Sequence, residues 1–399
     1  MNAFPIEEIR ARFPALRGVD GGMPRVYLDN PAGTQVPETV AQAAYRCLLE
    51  TNANLGGYFA SSLAAEEIVA RAHRAMARFL HARCEREIVI GPSMTSLTFE
   101  LSRSIGRMLQ PGDEIVVTRM DHDGNISPWL ALAEDRGLTV RWVPFDEETW
   151  RVEPQALDAV LSERTRVVAL NYASNLTGSI NDVRALVQRA HAVGALAYVD
   201  AVQLAPHAKI DVQALDCDFL ACSSYKFYGP HLGIVWAREA ILKELYAYKV
   251  RPQTDELPYR FETGTPQIEQ LAALAATVEY LESVPPFEAH ERALAVHLVE
   301  GLQRTGGVRV LGITDPAHFD KRVPTVSFVN ESRAPRSIAQ ELAQQNIFVW
   351  SGHNFALETV RQLGIDESEG VVRIGIAHYN CLPEVERTLD ALRTLYHRS

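Results

Sequence analysis

The stretch Phe219-Leu220-Ala221-Cys222-Ser223-Ser224-Tyr225-Lys226 runs from apolar residues into hydroxyl side chains and a lysine. Apolar runs of this length are typical of strands that are buried on both faces of a parallel sheet. Such runs recur from about residue 85 onward, and the segments between them carry apolar residues at helical spacing. The alternation predicts an α/β fold with a mostly parallel seven-stranded sheet flanked by helices. The predicted strands are 87–90, 114–118, 139–143, 166–171, 195–200, 219–223 and 233–236.

The pattern changes after about residue 285 to helices and strands that indicate a smaller α+β domain. Near the other end, Ile6, Ile9 and Phe13 are spaced as one face of a short helix. We therefore expect an N-terminal segment (1–20) that packs on the small domain, a large domain (21–265), and a connecting helix with the small C-terminal domain (266–399). The strands predicted in the small domain are 308–311, 325–329, 347–350 and 371–376, followed by a final helix.

Composition and charge narrow the class of protein. The 399 residues are 47% hydrophobic and 22% charged, which is typical of a globular protein. The net charge of −11 argues against nucleic acid or an anionic membrane as a partner. The chain contains no apolar run of transmembrane length, and its first residues do not resemble a secretion signal. Five scattered cysteines without metal-ligand spacing predict reduced thiols in a cytoplasmic protein and no metal site.

Two side chains at predicted strand ends suggest a cofactor. Asp200 closes the strand 195–200, and Lys226 follows the strand 219–223. Ligands of parallel sheets bind at the carboxyl ends of strands. A desolvated lysine is a nucleophile towards a carbonyl, and a buried acid can pair with a pyridinium nitrogen. Pyridoxal 5'-phosphate (PLP) needs both groups, although each residue taken alone favours the simpler interpretation of a surface lysine or a turn-capping acid.

A series of sequence blocks resembles the group II cysteine desulfurases, which share the ancestry of the class V aminotransferases. The blocks occur in the family's order and spacing from near residue 5 to the C-terminus. The resemblance implies the PLP-dependent transferase fold type I, a small amino-acid substrate and a homodimer with a shared active site. The blocks are Tyr27-Leu28-Asp29, Asn125-Ile126-Ser127-Pro128-Trp129, Ser174-Asn175, the stretch 200–233, Arg260-Phe261-Glu262-Thr263-Gly264-Thr265-Pro266 and the ending 373–380.

The same resemblance assigns residues to the phosphate and the ring of PLP. The segment Gly91-Pro92-Ser93-Met94-Thr95-Ser96 lies between a predicted strand and a predicted helix, where free backbone N–H groups can bind an anion. Capping by Ser93 alone is the alternative. Carried over from the family, the phosphate ligands are Met94, Thr95, Ser223, Tyr225 in place of the family's histidine, and Thr265 from the neighbouring subunit. The resemblance also implies that His122 stacks on the ring, that Asn175 and Gln203 bond near its phenolic oxygen, that Asp200 pairs with its nitrogen, and that Lys226 binds its aldehyde.

The substrate side of the site departs from the family. Arg373 corresponds to the family's α-carboxylate clamp, a role that suits the guanidinium fork. However, Phe355 occupies the position of the nucleophilic cysteine that accepts sulfur as a persulfide, and Trp350 replaces a second substrate-binding arginine. The loop that retains the family's glycine and histidine, Gly352-His353, is still expected to contact the substrate. We therefore expect Arg373, Trp350 and His353 to bind the substrate, and persulfide chemistry to be absent.

The predicted catalytic residues are Lys226, His122 and Asp200, and three reactions remain open for them. The first is β-elimination by a C–S lyase that resembles a cysteine desulfurase but uses no persulfide. The second is transamination, and the third is epimerisation of an amino acid. Cys381, a few residues after the last predicted strand, is a candidate substitute thiol, but the sequence around it provides no activating group. The predicted lysine site makes a purely structural protein a poor interpretation.

Overall fold

The computed structural model describes residues 4–397. Its strands are β1 (Val19–Asp20), β2 (Met23–Pro24), β3 (Val26–Tyr27), β4 (Ile88–Gly91), β5 (Glu114–Thr118), β6 (Thr139–Val143), β7 (Thr165–Asn171), β8 (Leu196–Asp200), β9 (Phe219–Ser223), β10 (Gly233–Ala237), β11 (Val308–Leu311), β12 (Thr325–Asn330), β13 (Ile347–Phe348), β14 (Trp350–Gly352) and β15 (Val371–Gly375). Its α-helices are α1 (Ile6–Ala11), α2 (Glu38–Glu50), α3 (Ala60–Phe79), α4 (Met94–Gly106), α5 (Ser127–Arg136), α6 (Pro154–Asp158), α7 (Val183–Ala192), α8 (Val212–Leu215), α9 (Glu239–Glu244), α10 (Ile268–Ser283), α11 (Glu288–Gln303), α12 (Pro335–Ala343), α13 (Leu357–Gln362) and α14 (Leu382–His397).

The larger sheet has seven strands in the order β4-β10-β9-β8-β7-β5-β6. Strands β5 to β9 pair in parallel, whereas β10 is antiparallel to both of its neighbours. Successive residues of β9 point to opposite faces, so Leu220 and Cys222 join one apolar cluster while Phe219 and Ala221 join another. Helices thus cover both faces, which confirms the predicted α/β fold with a mostly parallel sheet.

The second sheet is antiparallel, with the order β11-β12-β15-β14. Its apolar side packs against α11 and α14, with residues such as Leu298 and Leu389 in the shared core. The single strand predicted over 347–350 is wrong. The chain changes sheets at Val349, so β13 pairs in parallel with β3 while β14 pairs with β15. The change of sheet brings Trp350 directly opposite Arg373.

The N-terminal helix α1 and the residues that follow it contact both the larger apolar core and the final helix α14. Ile9 and Phe13 are buried in the larger core, where the Phe13 ring lies 4.8 Å from that of Tyr379. Arg10 forms an ion pair of 2.9 Å with Glu384 of α14. Residues 1–3 of the predicted N-terminal segment lie outside the described residues, and the division into three parts stays a prediction.

Two further findings concern the chain as a whole. Within residues 4–397, none of the helices combines the length and the apolar character needed to cross a membrane. The five cysteines are all free thiols.

Candidate active site

Three neighbouring strands of the larger sheet deliver polar side chains to one edge. Strand β8 ends at Asp200 and β9 ends at Ser223, after which a short 3₁₀ turn (Ser224–Lys226) carries the lysine. Asn175 follows β7, which pairs with β8. Because β7, β8 and β9 are parallel, their carboxyl ends meet at the same edge. The residues that sequence reasoning placed around a cofactor ring are therefore brought together.

Lys226 is buried at this edge, with only 8% of the residue exposed. Its Nζ donates a hydrogen bond to the backbone oxygen of Pro31, and Gln203 Nε2 donates to the same oxygen over 2.9 Å. The pKa of Lys226 is lowered to about 7, mainly by burial and also by the nearby charge of Arg373, while Asp200 opposes the shift. A large share of the side chain is therefore the neutral, nucleophilic amine at neutral pH.

Asp200 is buried beside Lys226 and holds its proton more tightly than an ordinary aspartate. Burial raises the pKa of Asp200 to about 6, against a hydrogen bond of 2.8 Å that Val202 N–H donates to Oδ1 and the opposing charge of Lys226. A carboxyl group with this pKa can share a proton with a ring nitrogen near neutral pH.

His122 is a neutral imidazole with a fixed tautomer. Its Nδ1 accepts a hydrogen bond of 2.8 Å from Gly124 N–H, which leaves the proton on Nε2. Burial lowers the pKa of His122 to about 3, and the positive charges of Lys226 and Arg373 add to the effect. An uncharged imidazole ring suits stacking on an aromatic cofactor.

The segment before α4 forms a loop that ends in a helix cap. Ser93 caps the helix, because its Oγ accepts a hydrogen bond of 3.1 Å from Ser96 N–H. The Met94 side chain is buried in the core, so its backbone N–H is what it offers to a ligand. Gly233 of β10 packs against the same loop, since a Cβ atom at this glycine would lie 2.1 Å from Met94 N. Gly233 is also the register partner of Ser223, which brings that hydroxyl to the loop.

Arg373 and Asn175 are both buried, and each has one polar atom with a hydrogen-bond partner and another polar atom without one. We call the region around these two residues the substrate side of the site. Arg373 Nη1 donates to the Asn175 backbone oxygen over 2.9 Å, but its Nε has no partner among the described residues. Asn175 Nδ2 donates to Asn354 O over 2.8 Å, while its Oδ1 is also unpartnered within 4–397. Buried polar atoms without partners are costly. These two atoms therefore fit a ligand that accepts from the guanidinium and donates to the amide oxygen.

Sequence reasoning missed Asp29 and Pro31 as parts of the site. Burial raises the pKa of Asp29 to about 6, which the charge of Arg373 opposes, and its Oδ1 has no hydrogen-bond partner in the described chain. Pro31 accepts from both Lys226 and Gln203. The signal was present in the block Tyr27-Leu28-Asp29, but nothing local indicated a contact with residues almost 200 positions away.

Three further predicted residues are Tyr225, Thr95 and Thr265. Tyr225 stacks on His231, with ring centroids 4.9 Å apart, and Lys226 Nζ lies 5.2 Å from the centre of the Tyr225 ring. Thr95 Oγ1 lies against Gly124, because a Cβ atom at this glycine would be 3.0 Å from it. Thr265 is exposed and lines a cavity of about 230 Å³ next to Pro92. The contact of Thr265 with a second subunit stays a prediction.

The loop after Trp350 lies close to His122. His353 Nδ1 accepts a hydrogen bond of 3.0 Å from Phe355 N–H, and the Phe355 ring centroid is 5.5 Å from that of His122. Half of Trp350 is exposed, on the strand beside Arg373. The side chains of Trp350, His353 and Phe355 therefore lie near Arg373 and Asn175, whose Nε and Oδ1 atoms have no partner among the described residues.

Comparisons with known proteins agree with this geometry. Residues 26–388 match the family model described as "Aminotransferase class-V". The chain is 34% identical to the "Aminotransferase-like protein FGM3" of Gibberella zeae, with 98% of each chain covered, and 31% identical to a cysteine desulfurase of Dickeya dadantii, with 98% and 97% covered. Its fold superposes on the apo structure of a cysteine desulfurase from Thermococcus onnurineus with a TM-score of 0.92, at 28% identity and complete coverage of both chains.

Both the site and the comparisons indicate the same cofactor. Class V aminotransferases and cysteine desulfurases depend on PLP, and the buried Lys226 and Asp200 supply the groups that PLP requires. The chain therefore belongs to the class V aminotransferase family and is a PLP-dependent enzyme that acts on an amino acid.

Proposed function

We propose that this enzyme is a C–S lyase, which eliminates a sulfur-bearing group from Cβ of its amino-acid substrate without a cysteine persulfide. The feature that carries the proposal is Phe355, whose ring centroid lies 5.5 Å from that of His122 and which we align with the family's sulfur-accepting cysteine. A phenyl ring cannot accept sulfur. The sulfur must then leave directly as a thiol or as sulfide.

Three of the five cysteines are poor candidates for a replacement nucleophile. Cys217 and Cys222 are fully buried, and burial raises their pKa values, so the thiolate form is suppressed. Burial is also the main cause that raises the pKa of Cys381. A reactive cysteine needs the opposite shift.

Residues around the edge of the sheet have separate tasks in the proposed reaction. The Arg373 guanidinium binds the α-carboxylate, with its unpartnered Nε as one donor. When bound, PLP supplies an electron sink that stabilises negative charge at Cα. The Lys226 amine takes the proton from Cα, the Cβ–S bond breaks with its electron pair leaving on sulfur, and the thiolate takes up a proton. Water then converts the released enamine to pyruvate and ammonia.

The cofactor is positioned by two further groups of residues. The phosphate would be held by the backbone of Met94, by Thr95, Ser223 and Tyr225, and by Thr265 of a second copy of the chain. His122 would stack on the ring, Asn175 and Gln203 would bind near the phenolic oxygen, and Asp200 would keep the ring nitrogen protonated. The closeness of Lys226 and Gln203, which share one acceptor oxygen, supports this arrangement.

The assembly that completes the site is a homodimer. A second copy is supported by apolar side chains exposed near the start of α3, where Tyr58 is 100% exposed and Phe59 and Leu63 are more than half exposed. Contiguous exposed apolar groups of this size are typical of protein interfaces. A cytoplasmic location and the three-part domain division belong to the same proposal.

Transamination is the second candidate reaction, because the Gibberella zeae relative is named an aminotransferase-like protein. Product analysis with S-benzyl-L-cysteine separates the reactions. The proposal expects benzyl thiol and pyruvate in equal amounts over many turnovers. Conversion of the cofactor to pyridoxamine phosphate with a sulfur-containing keto acid would establish transamination instead. Solvent deuterium at Cα without consumption of the substrate would establish epimerisation, and either result would overturn the proposal.

A further inference from the structure

The loop that carries Phe355 has an unfavourable backbone conformation. Asn354 and Phe355 have φ angles of 51° and 58°, so two consecutive residues other than glycine lie in the left-handed region. Asparagine tolerates this region, but a bulky aromatic residue rarely adopts it. Conformations of this kind persist where surrounding contacts enforce them, and they concentrate at functional sites.

Hydrogen bonds from the active site hold this loop in place. Asn175 Nδ2 donates to Asn354 O over 2.8 Å, and Asp123 N–H donates to Phe355 O over 2.7 Å. Asn175 in turn accepts from Arg373 through its backbone oxygen. The loop is therefore attached to the His122 turn on one side and to the carboxylate clamp on the other.

This backbone conformation places the Phe355 ring beside His122 and His353. The Phe355 ring is tilted by 34° from that of His122 at 5.5 Å and meets the His353 ring edge-on at 5.9 Å. Although it has these neighbours, Phe355 is 64% exposed. A fixed and largely exposed aromatic ring retains apolar area that a ligand can cover.

A second exposed aromatic side chain lies on the small sheet beside Arg373. Trp350 pairs directly with Arg373 in the antiparallel register of β14 and β15, so both side chains point to the same face of that sheet. Arg373 is buried, whereas half of Trp350 is exposed. A substrate whose carboxylate reaches Arg373 would therefore pass beside the indole.

We propose that Phe355 and Trp350 form an aromatic pocket that selects substrates with an aromatic or bulky apolar group on sulfur over free cysteine. This inference rests on the proposed function. Rings of this kind stack on or pack edge-to-face with another ring, and the buried apolar area favours the larger substrate. Because a phenyl group on the substrate would bury more apolar area against these rings than a methyl group, we expect it to improve binding about 10- to 100-fold.

The test measures binding rather than turnover, so that it stays separate from the reaction type. α-Methyl-L-phenylalanine and 2-aminoisobutyrate both lack a Cα hydrogen, and their dissociation constants for the PLP-loaded enzyme follow from calorimetric titration. The wild-type enzyme should bind the phenyl compound about 10- to 100-fold more tightly. Phe355→Ala and Trp350→Ala should each lose most of this preference, and Phe355→Leu should retain part of it.

Leu382→Ala provides a matched control, because Leu382 is an exposed apolar residue at the start of α14. This variant should keep the wild-type preference. Equal binding of the two compounds by the wild-type enzyme would overturn the inference, and so would an undiminished preference in both Phe355→Ala and Trp350→Ala. If the preference holds but S-benzyl-L-cysteine yields no thiol, the pocket stands and the C–S lyase assignment fails.

Discussion

Lys226 donates a hydrogen bond from its Nζ to the backbone oxygen of Pro31, which lies 195 residues earlier in the chain. Pro31 packs against Gly375 at the end of β15, so closely that a Cβ atom at this glycine would lie 2.0 Å from the proline Cδ. The Lys226 amine, which follows β9 of the larger sheet, is thus positioned beside β15, the strand that carries Arg373. Pro31 therefore links Lys226, through its carbonyl oxygen, with the strand of Arg373, through its ring.

Lys226→Ala should abolish covalent attachment of PLP. The chain contains five lysines, and Lys226 is the one whose pKa is strongly lowered by burial. Borohydride reduction followed by peptide mass spectrometry should find PLP on Lys226 in the wild-type protein and none in the variant. Lys209→Ala is the control, since Lys209 is exposed and should not affect the result. Cofactor trapped covalently in Lys226→Ala would refute the assignment.

The Lys226 amine should titrate near neutral pH in the PLP-free protein. Burial lowers its pKa to about 7, so the group binds a proton less readily in the folded state than in the unfolded state. The unfolded chain therefore holds more protons between about pH 7 and 10, and this lysine makes stability rise with pH over that range. Carbon-13 NMR of labelled lysine side chains should show one of five signals titrating near pH 7. Its persistence in Lys226→Ala would contradict this account.

Asp200→Ala should bind PLP but react slowly. The carboxyl group, whose pKa burial raises to about 6, is proposed to keep the ring nitrogen protonated. Its loss should slow exchange of the substrate Cα hydrogen by about 100- to 1000-fold. Proton NMR in deuterated water measures this exchange, and a parallel titration with a carboxylate ligand confirms that the substrate side is intact. Exchange near the wild-type rate would show that Asp200 has another role.

Gly233→Ala should weaken PLP binding by displacing the anion-binding loop. The added Cβ would lie 2.1 Å from Met94 N and from Ser93 C, and backbone atoms cannot move aside as a flexible side chain can. Overpacking of this kind costs about 1–3 kcal/mol. Gly306→Ala is the matched control, because no atom lies within 4 Å of a Cβ there. Equal PLP dissociation constants for the two variants would argue against the loop as the phosphate site.

The sequence predicted the larger sheet well because its signals are local. The apolar runs that became β8 and β9 also determine where Asp200 and Lys226 lie, since parallel strands share one carboxyl edge. The strand break at Val349 was not predictable, because pairing with β3 or β15 depends on distant residues. The role of Pro31 was missed for the same reason.

The backbone conformation of the loop that contains Asn354 and Phe355 could not be predicted from the sequence either. Asn354 is a residue that accepts a positive φ, but Phe355 is not, and its conformation depends on a hydrogen bond from Asp123 more than 200 residues away. That Phe355 replaces the family's cysteine is a prediction made from the sequence alone. The way in which this loop directs the ring towards His122 required the structure.

The most direct test of the central claim is the intact mass of the PLP-loaded enzyme after incubation with L-cysteine, measured together with sulfide and pyruvate. Elimination without a persulfide predicts an unchanged mass of the polypeptide chain and equal amounts of sulfide and pyruvate. A chain heavier by one sulfur atom, with the modification on Cys381 and both adduct and activity lost in Cys381→Ser, would contradict the account, because it would identify a relocated nucleophile.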